Sequence, residues 1–214
     1  MDSVIRTYTK KQDLLALRRN QIAVCAARLF AKSGYDHVSV REISAACGIG
    51  IGALYRYIAT KDDILYLVMD YGLSPFLKLY EDMEARLDIV NPTEGLAEAI
   101  DKHYRMVDKF QDVLRMAYME IRNLQPRAIQ SVLHVDRCFL SLYEGILNRG
   151  YMKGEFKACN TTVIAHNIMV DGHMWAVRNW FLKSCCTLET YISEQIEFTF
   201  RAICTEKALQ TKTQ

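Results

Sequence analysis

Residues 42–57 read EISAACGIGIGALYRY, and this stretch decides the fold. It begins inside Ser39-Val40-Arg41-Glu42, a capping box in which a Ser hydroxyl and a Glu carboxylate close the start of a helix. Small residues then allow two helices to cross closely at a turn, and apolar residues can hold both helices against a support; these are Ala46, Cys47, Gly48 and Gly50, with Ile43, Ile49 and Leu54. The layout predicts a helix-turn-helix, whose second helix enters the major groove of DNA.

The flanking sequence predicts the rest of a small helical bundle. Upstream, an apolar stripe with a period of about 3.6 residues indicates a helix that ends at Ser33-Gly34; its members are Ile22, Cys25, Ala26, Leu29 and Phe30. The second helix of the motif is expected over 51–58. Thr60 is a further candidate cap and leads into a fourth helix through Ile64 and Leu65. Helices this short bury little surface alone, so they must pack together.

Longer helices are predicted for the remainder of the chain. Asn91-Pro92 places an N-cap and a proline in the first turn of a helix, Pro126 starts another, and Gly150–Gly154 is a turn. The stretch Val163–Leu182 is apolar on nearly all sides, which is typical of a helix buried on two faces. Gly72–Pro75 should kink or break the fourth helix.

Glycine and proline are too scarce for a many-stranded sandwich or barrel, because only 10 Gly and 3 Pro occur in 214 residues. We therefore predict an all-α fold of about nine helices, in which a three-helix head is joined to a larger helical domain. The head is also the basic part of the chain. Residues 1–61 carry ten Lys and Arg against four acids, whereas residues 62–214 carry more acids than bases. A basic head favours a polyanionic partner for that domain only.

Cysteine content and hydropathy bear on the cellular compartment. No apolar stretch reaches the 18 residues of a membrane span, and the first residues lack a hydrophobic signal core, so we expect a cytoplasmic protein with no membrane partner. Seven cysteines, an odd number without a C-x-x-C pair, indicate reduced thiols. Adjacent Cys185 and Cys186 leave open an alternative, in which the protein senses oxidants through its thiols.

From Arg19 to Leu65 the sequence resembles the tetracycline-repressor (TetR) family of bacterial transcriptional regulators. The residues that carry the resemblance are Ala26–Phe30, Gly34-Tyr35, Ser39-Val40, Ile43-Ser44, Gly48-Ile49, Gly52, Leu54–Tyr57, Lys61 and Ile64-Leu65. The resemblance implies a homodimeric regulator, expected to be a repressor, that binds a palindromic operator and is released by a small apolar effector. It divides the chain into a basic arm at 1–12, a DNA-binding domain at 13–60, an effector-binding and dimerisation domain at 61–208 and a tail at 209–214.

The family's DNA contacts map onto a compact set of positions. The implied DNA-binding residues are Ser39, Arg41, Gly50, Ile51, Gly52, Ala53, Tyr55, Arg56, Tyr57 and Lys61. Tyr55 and Lys61 match habitual phosphate contacts. Gly50 and Ala53 depart from the family pattern, which has hydroxyl residues there, and Ile58 replaces the usual Phe. Sequence readout should then depend on Arg41 and Arg56 with guanine and on Ile51 and Ala53 with the thymine methyl group.

The larger domain offers many aromatic, Met and His side chains for an adaptable apolar pocket. The candidate pocket residues are Tyr66, Met69, Phe76, Tyr80, Tyr104, Phe110, Met116, Met119, Phe139, Tyr143 and Met169, with His134, His166 and His173 as polar anchors. The candidate dimer residues lie on the last helices and are Trp175, Trp180, Tyr191, Ile192, Ile196, Phe200 and Ile203. Segments 120–124, 150–156 and 174–181 resemble the branch of the family that senses fatty acyl or acyl-CoA compounds. A multidrug or planar aromatic ligand is the alternative effector.

Other functions have weaker support in the sequence. Gly48-x-Gly50-x-x-Ala53 matches part of the dinucleotide fingerprint, but a helix precedes it where a strand is needed, so no cofactor is expected. We find no catalytic constellation, which disfavours an enzyme. A metal site from His166, Asp171 and His173 has poor helical phase, and no metal is expected. An adaptor that binds an acidic protein through the basic head remains an alternative.

Overall fold

The computed structural model describes residues 12–121 and 124–206, and this part of the chain is helical throughout apart from turns and one isolated bridge between Phe156 and Cys204. The expected tail at 209–214, and the expected arm at 1–12 except Gln12, lie outside the described residues. Ten helices follow one another: α1 Gln12–Ser33, α2 Val40–Cys47, α3 Ile51–Leu54, α4 Lys61–Glu84, α5 Pro92–Lys109, α6 Gln111–Glu120, α7 Pro126–Met152, α8 Thr161–Val177, α9 Asn179–Cys185 and α10 Leu188–Ile203. The all-α prediction is confirmed.

These helices form two compact units. Unit 1 takes the described residues up to Ser74 together with Asp112–Leu133, and unit 2 takes Pro75–Gln111 together with the described residues from His134 onwards. Both units are therefore assembled from separate stretches of the chain. Their boundaries differ from the functional boundaries expected from the sequence, which fall at residues 60 and 61.

The core of unit 1 joins the first three helices to parts of α4, α6 and α7. Its fully buried side chains include Ile22 from α1, Ile43 from α2, Leu54 from α3 and Ile64 from α4. Met116 of α6 belongs to the same cluster. Burying a side chain of this size contributes about 1.5–3 kcal/mol, so α4 and α6 stabilise α1, α2 and α3 substantially.

Unit 2 is organised around α5, which packs against α8 and α10. The expected cap is confirmed, because Asn91 Oδ1 accepts from the backbone N–H of Thr93 and Glu94. Glu155, from the turn after α7, reinforces this cap. Its carboxylate accepts from the Thr93 N–H at 3.1 Å and from the Thr93 hydroxyl at 2.7 Å. The α7–α8 connection thus fixes the start of α5.

Of the kink or break expected in the fourth helix at Gly72–Pro75, the break does not occur. α4 continues through Pro75 to Glu84. Proline removes one helical N–H at a cost of about 3 kcal/mol, and burial of Val68 before it and Phe76 after it offsets that cost. Gly72 serves packing instead, because a Cβ atom at this position would lie 2.4 Å from Val113 Cγ1 of α6.

Three helix boundaries also differ from the predictions. The apolar stretch Val163–Leu182 is two helices that meet at Arg178, which raises the count to ten within the described residues. α7 continues through Gly150 to Met152, so only the end of the predicted turn lies outside the helix. α3 ends at Leu54 and is followed by turns, where a longer helix to residue 58 was expected.

Candidate nucleic-acid interface

The turn between α2 and α3 is built on Gly48. This residue adopts φ +64° and ψ 27°, in the left-handed region that favours glycine, and its N–H donates to the Ala45 carbonyl at 3.1 Å. The Ile49 N–H donates to the Ser44 carbonyl, and the Ser44 hydroxyl donates to the Ile49 carbonyl. These contacts satisfy the end of α2 and set the direction in which α3 begins.

Two side chains of α1 form hydrogen bonds with the end of α2. Gln21 Nε2 donates to the Cys47 carbonyl at 2.7 Å, and the Cys25 thiol donates to the Ala46 carbonyl at 3.6 Å. Both contacts reach the last turn of α2. The position of the helix-turn-helix is therefore fixed by long-range contacts as well as by its own turn.

The outer side of the motif presents most of the expected DNA-binding residues. We define the recognition surface as its exposed members Ser39, Arg41, Gly50, Ile51, Gly52, Tyr55 and Arg56. A Cβ atom built on Gly50 or Gly52 meets no atom within 4 Å, so the backbone of α3 is open to a close approach. The surface combines two guanidinium groups, two partly exposed apolar side chains and accessible backbone.

Two expected contact residues face inward instead. Tyr57 is only 6% exposed and belongs to the core of unit 1, and Ala53 is partly buried against the same core. The regular helix ends at Leu54, and the following turns rotate the chain away from the phase that a longer helix would keep. The structure therefore corrects the expectation that Tyr57 faces the groove.

Ser39 is committed to the capping box. Its N–H and its hydroxyl both donate to Glu42 Oε2 at 2.7 Å, and the Glu42 N–H donates back to Ser39 Oγ at 3.2 Å. The Ser39 backbone N–H, and then its hydroxyl, lower the pKa of Glu42 below its usual value. A phosphate oxygen at Ser39 would compete with this carboxylate.

Lys61 opens α4 and is held beside the ring of Tyr35. Its Nζ lies 4.2 Å from the ring centroid and donates to the Asp36 carbonyl at 3.4 Å. Its neighbour Thr60 caps α4, because the Thr60 hydroxyl accepts from the Asp63 N–H at 3.1 Å. The ammonium group is therefore positioned by an aromatic ring and a carbonyl oxygen.

The expected pocket residues are divided between the two units. Tyr66, Met69, Met116 and Met119 belong to unit 1, and Met119 is 64% exposed. Of the unit 2 members, His134 and His166 are exposed, Tyr80 is partly buried, and the buried ones are Phe76, Tyr104, Phe110, Phe139, Tyr143, Met169 and His173. The buried unit 2 residues belong to a large aromatic core.

His103 lies at the centre of that core, although it is not among the residues predicted from the sequence. Its ring stacks on Phe139 with centroids 4.2 Å apart, and its Nδ1 lies 3.0 Å from the Tyr143 hydroxyl. Phe76 and His173 contact it edge-on. The sequence pattern could have identified His103 as a core residue, because it lies on the same face of α5 as the apolar residues at positions 96, 99, 100 and 107.

Burial keeps both histidines of this core uncharged. It lowers the pKa of His103 well below the usual value, with a further contribution from His173. It lowers the pKa of His173 to about 4, and His166 adds to that shift. Burial also raises the pKa of Tyr143, so its hydroxyl stays protonated. The core therefore presents neutral hydrogen-bonding groups among aromatic rings.

A small cleft lies elsewhere in unit 2, between the end of α4, the start of α5 and α7. Its two arginines are already engaged. Arg86 pairs with Glu98 at 2.8 Å, and Arg149 donates to the Val90 carbonyl at 3.3 Å.

In the part of the chain that the structure describes, no group of three His, Cys, Asp or Glu side chains could hold a metal ion.

The candidate dimer residues divide into buried and exposed sets. Trp175, Ile192, Phe200 and Ile203 are buried within the chain itself, Tyr191 and Ile196 are half-buried, and Trp180 is 72% exposed. Hydrogen bonds explain part of the inward placement. Trp175 Nε1 donates to Asp108 at 2.8 Å, and the Tyr191 hydroxyl donates to the Asp171 carbonyl at 2.7 Å. Val163, Phe181 and Phe198 are also exposed; they lie in the segments 163–182 and 191–203 expected at the dimer interface, although none of them is among the candidate residues named from the sequence.

The adjacent thiols that follow α8 along the chain have different surroundings. Cys185 is exposed, whereas Cys186 is partly buried and donates to the Leu182 carbonyl at 3.6 Å.

Over residues 12–121 and 124–206, no helix combines the length and the apolar character that crossing a lipid bilayer requires.

Comparisons with known proteins agree with this architecture. HbdR, an HTH-type transcriptional regulator of Aromatoleum sp. strain CIB, is 26% identical over 193 residues, 89% of this chain and 82% of that protein. The structure of FadR from Bacillus subtilis with stearoyl-CoA has a TM-score of 0.65 at 21% identity and covers 84% of this chain and 96% of that one. The complex of AibR with isovaleryl coenzyme A and operator DNA has a TM-score of 0.71 at 23% identity, covering 86% and 98%.

Two family models account for most of the described residues. Residues 22–66 match the model described as bacterial regulatory proteins of the tetR family, and they contain α2, α3 and the recognition surface. Residues 90–184 match the model described as the C-terminal domain of tetracycline-repressor-like proteins, and they contain α5 and most of its aromatic core. The chain belongs to the TetR family and is a DNA-binding transcriptional regulator.

Proposed function

We propose that this regulator is a cytoplasmic, dimeric repressor that binds a near-palindromic operator and is released by an acyl-CoA. The recognition surface is the observation that carries the DNA-binding part. It exposes Arg41 at the start of α2 and Arg56 just after α3, on either side of the turn that Gly48 fixes, together with a backbone that Gly50 and Gly52 leave open. A guanidinium can donate two hydrogen bonds to guanine, and Ile51 can contact the thymine methyl group.

Phosphate contacts would orient the head on the duplex. Tyr55, which precedes Arg56, is 45% exposed, and the Lys61 ammonium is held by a ring and a carbonyl oxygen. Such contacts release counterions, so operator affinity should fall steeply as the salt concentration rises. In this proposal Tyr57 supports the head from its core, and Ser39 acts mainly as the cap of α2.

The neutral core of unit 2 favours an uncharged effector segment. The rings that contact His103 are uncharged, and burial opposes protonation of both histidines. A cationic drug in this core would meet no compensating charge among those rings, whereas an acyl chain needs none. The names of two structural relatives, with stearoyl-CoA and isovaleryl coenzyme A, suggest the same chemical class.

The length of the acyl chain sets the binding free energy that such an effector can supply. Reversing a 99:1 preference for the DNA-binding state needs about 5.5 kcal/mol of differential binding. A buried methylene contributes about 0.8 kcal/mol, so about seven methylenes suffice. Stearoyl-CoA should therefore release DNA at lower concentration than isovaleryl-CoA.

Dimerisation would use apolar surface that the single chain leaves exposed. Trp180, Phe181 and Phe198 on α9 and α10 are all at least 46% exposed, together with Val163 on α8. Large exposed apolar groups of this kind mark interaction sites, and a two-fold axis would present the same patch on both subunits.

Fluorescence anisotropy with the full chain tests the DNA-binding part. The probe is a duplex that the protein selects from random-sequence DNA, compared with its scrambled version over a salt series. Arg56→Ala should weaken binding about 5- to 150-fold for each half-site, from the 1–3 kcal/mol of a bidentate base contact. Lys153→Ala, which removes one exposed positive charge from unit 2, is the matched control and should bind like the wild type.

The same complex then serves for effector titration. Stearoyl-CoA should dissociate it, isovaleryl-CoA should act less strongly, and free coenzyme A should have no effect. Equal affinity for selected and scrambled duplexes would contradict specific operator binding. Release by berberine, a planar aromatic cation, or by peroxide, with no response to acyl-CoA, would replace the effector class by the drug or thiol alternatives.

A further inference from the structure

Tyr35 is held from three directions within unit 1. Its hydroxyl donates to Asp62 Oδ1, and Gln125 Nε2 donates to the other oxygen of that carboxylate at 3.2 Å. Its ring lies beside the Lys61 ammonium. Its backbone N–H donates to Glu120 Oε1 at 3.1 Å, a contact between residues 85 positions apart. Tyr35 thus connects the end of α1 to the start of α4 and to the end of α6.

The position of Lys61 depends on the segment that contains Tyr35. Two described contacts hold its Nζ, one from the Tyr35 ring and one from the carbonyl of Asp36, the next residue. Burial and the hydrogen bond to Asp62 raise the pKa of Tyr35, so its hydroxyl remains a donor. Displacement of residues 35 and 36 would therefore displace the ammonium.

Glu120 fixes this segment from α6. Its side chain is buried, and one carboxylate oxygen also lies 3.9 Å from the Cβ position of Gly34. A buried carboxylate is costly unless it accepts hydrogen bonds, so its contact with the Tyr35 N–H is strongly favoured. Removing the Glu120 carboxylate would leave the Tyr35 N–H without this acceptor. Residues 35 and 36 would then shift as the N–H takes another partner.

We propose that Glu120 is a positioning residue for operator binding, which acts through Tyr35 to hold Lys61 where it meets a DNA phosphate. The inference rests on the proposed function, because it takes Lys61 as a phosphate contact. It adds a residue of α6, far from the recognition surface in sequence, to the determinants of operator affinity.

A double-mutant cycle on the full-length protein tests this inference. Operator affinity is measured by anisotropy with the selected duplex for the wild type, Glu120→Ala, Lys61→Ala and the double variant. Glu120→Ala should reduce affinity about as much as Lys61→Ala. Both should flatten the dependence of log K on log salt by about 0.9 for each phosphate that the ammonium no longer neutralises. Adding Glu120→Ala to Lys61→Ala should change affinity less than about twofold, as expected for two residues that act through one interaction.

Three further variants separate positioning from structural damage. Glu120→Gln retains an acceptor oxygen and should restore most of the affinity. Asp112→Asn changes another carboxylate of α6, one that pairs with Arg115, and should leave the salt dependence unchanged. If Glu120→Ala does not fold, Glu120→Asp, which withdraws the carboxylate by one methylene, takes its place in the cycle.

The possible failures are distinguishable. Independent, additive losses from the two substitutions, or a salt dependence that Glu120→Ala leaves unchanged, would overturn the positioning role while the proposed function stands. A wild-type protein that does not discriminate the selected from the scrambled duplex would overturn the proposed function itself, and the role of Glu120 with it.

Discussion

His173 should make the fold sensitive to acid in a way that can be measured. The folded protein lowers the pKa of this imidazole from 6.5 to about 4 by burial. In the unfolded chain the side chain takes up a proton below about pH 6.5. The unfolded state therefore binds more protons between about pH 6.5 and 4, and stability falls as the pH decreases through that window. A shift of this size corresponds to roughly 3 kcal/mol.

The assay is urea unfolding followed by circular dichroism at a series of pH values from 7.5 to 4, on the wild type and on His173→Gln. Carboxylates such as Glu98 titrate in both proteins, so their contributions cancel in the difference. At pH 7.5 we expect the variant to be the less stable of the two. Between pH 7.5 and pH 4, the wild type should lose roughly 3 kcal/mol more free energy of unfolding than His173→Gln does. His134→Gln, at an exposed histidine, is the matched control. Parallel stability curves for wild type and His173→Gln would refute the reasoning, because they would mean that the folded core accommodates the charged imidazole.

Three glycine positions give further predictions. Gly50→Ser should supply the missing side-chain cap of α3 without a clash, and its hydroxyl should tighten operator binding about 2- to 12-fold for each half-site, measured by anisotropy; weaker binding would contradict the open space at this position. Gly150→Ala should destabilise the protein by about 1–3 kcal/mol, because its Cβ would fall 2.0 Å from the Phe156 ring. Gly95→Ala, where the Cβ makes ordinary contact with Val90, should instead raise stability by up to about 1 kcal/mol. Thermal unfolding distinguishes these two alanine variants, and equal Tm values would contradict the packing argument.

Local chemistry made much of the fold predictable. The capping box at Ser39 and the cap at Asn91 are confirmed, because each depends on a side chain and a backbone group within three residues. The expected break at Pro75 was wrong, because the cost of one missing N–H is local whereas the burial that offsets it involves residues distant in sequence.

The candidate sites were less predictable for a related reason. The family resemblance implied outward positions for Arg41, Arg56 and Tyr57 alike, and it holds for the two arginines, but the inward placement of Tyr57 depends on where α3 ends. Aromatic content identified many members of the unit 2 core, yet it could not separate them from Met116, which packs in unit 1. That division follows from long-range contacts between helices, which a periodic pattern does not contain.

The discontinuous construction of unit 1 has a consequence for protein engineering. A chimeric regulator made by fusing residues 13–60 to a foreign sensor would leave Ile22 and Leu54 without the apolar partners that Ile64 and Met116 provide. Such a graft should be poorly cooperative in unfolding and prone to aggregate. Specificity can be exchanged more safely by transplanting single side chains of the recognition surface, because those side chains point away from the core that the two chain stretches share.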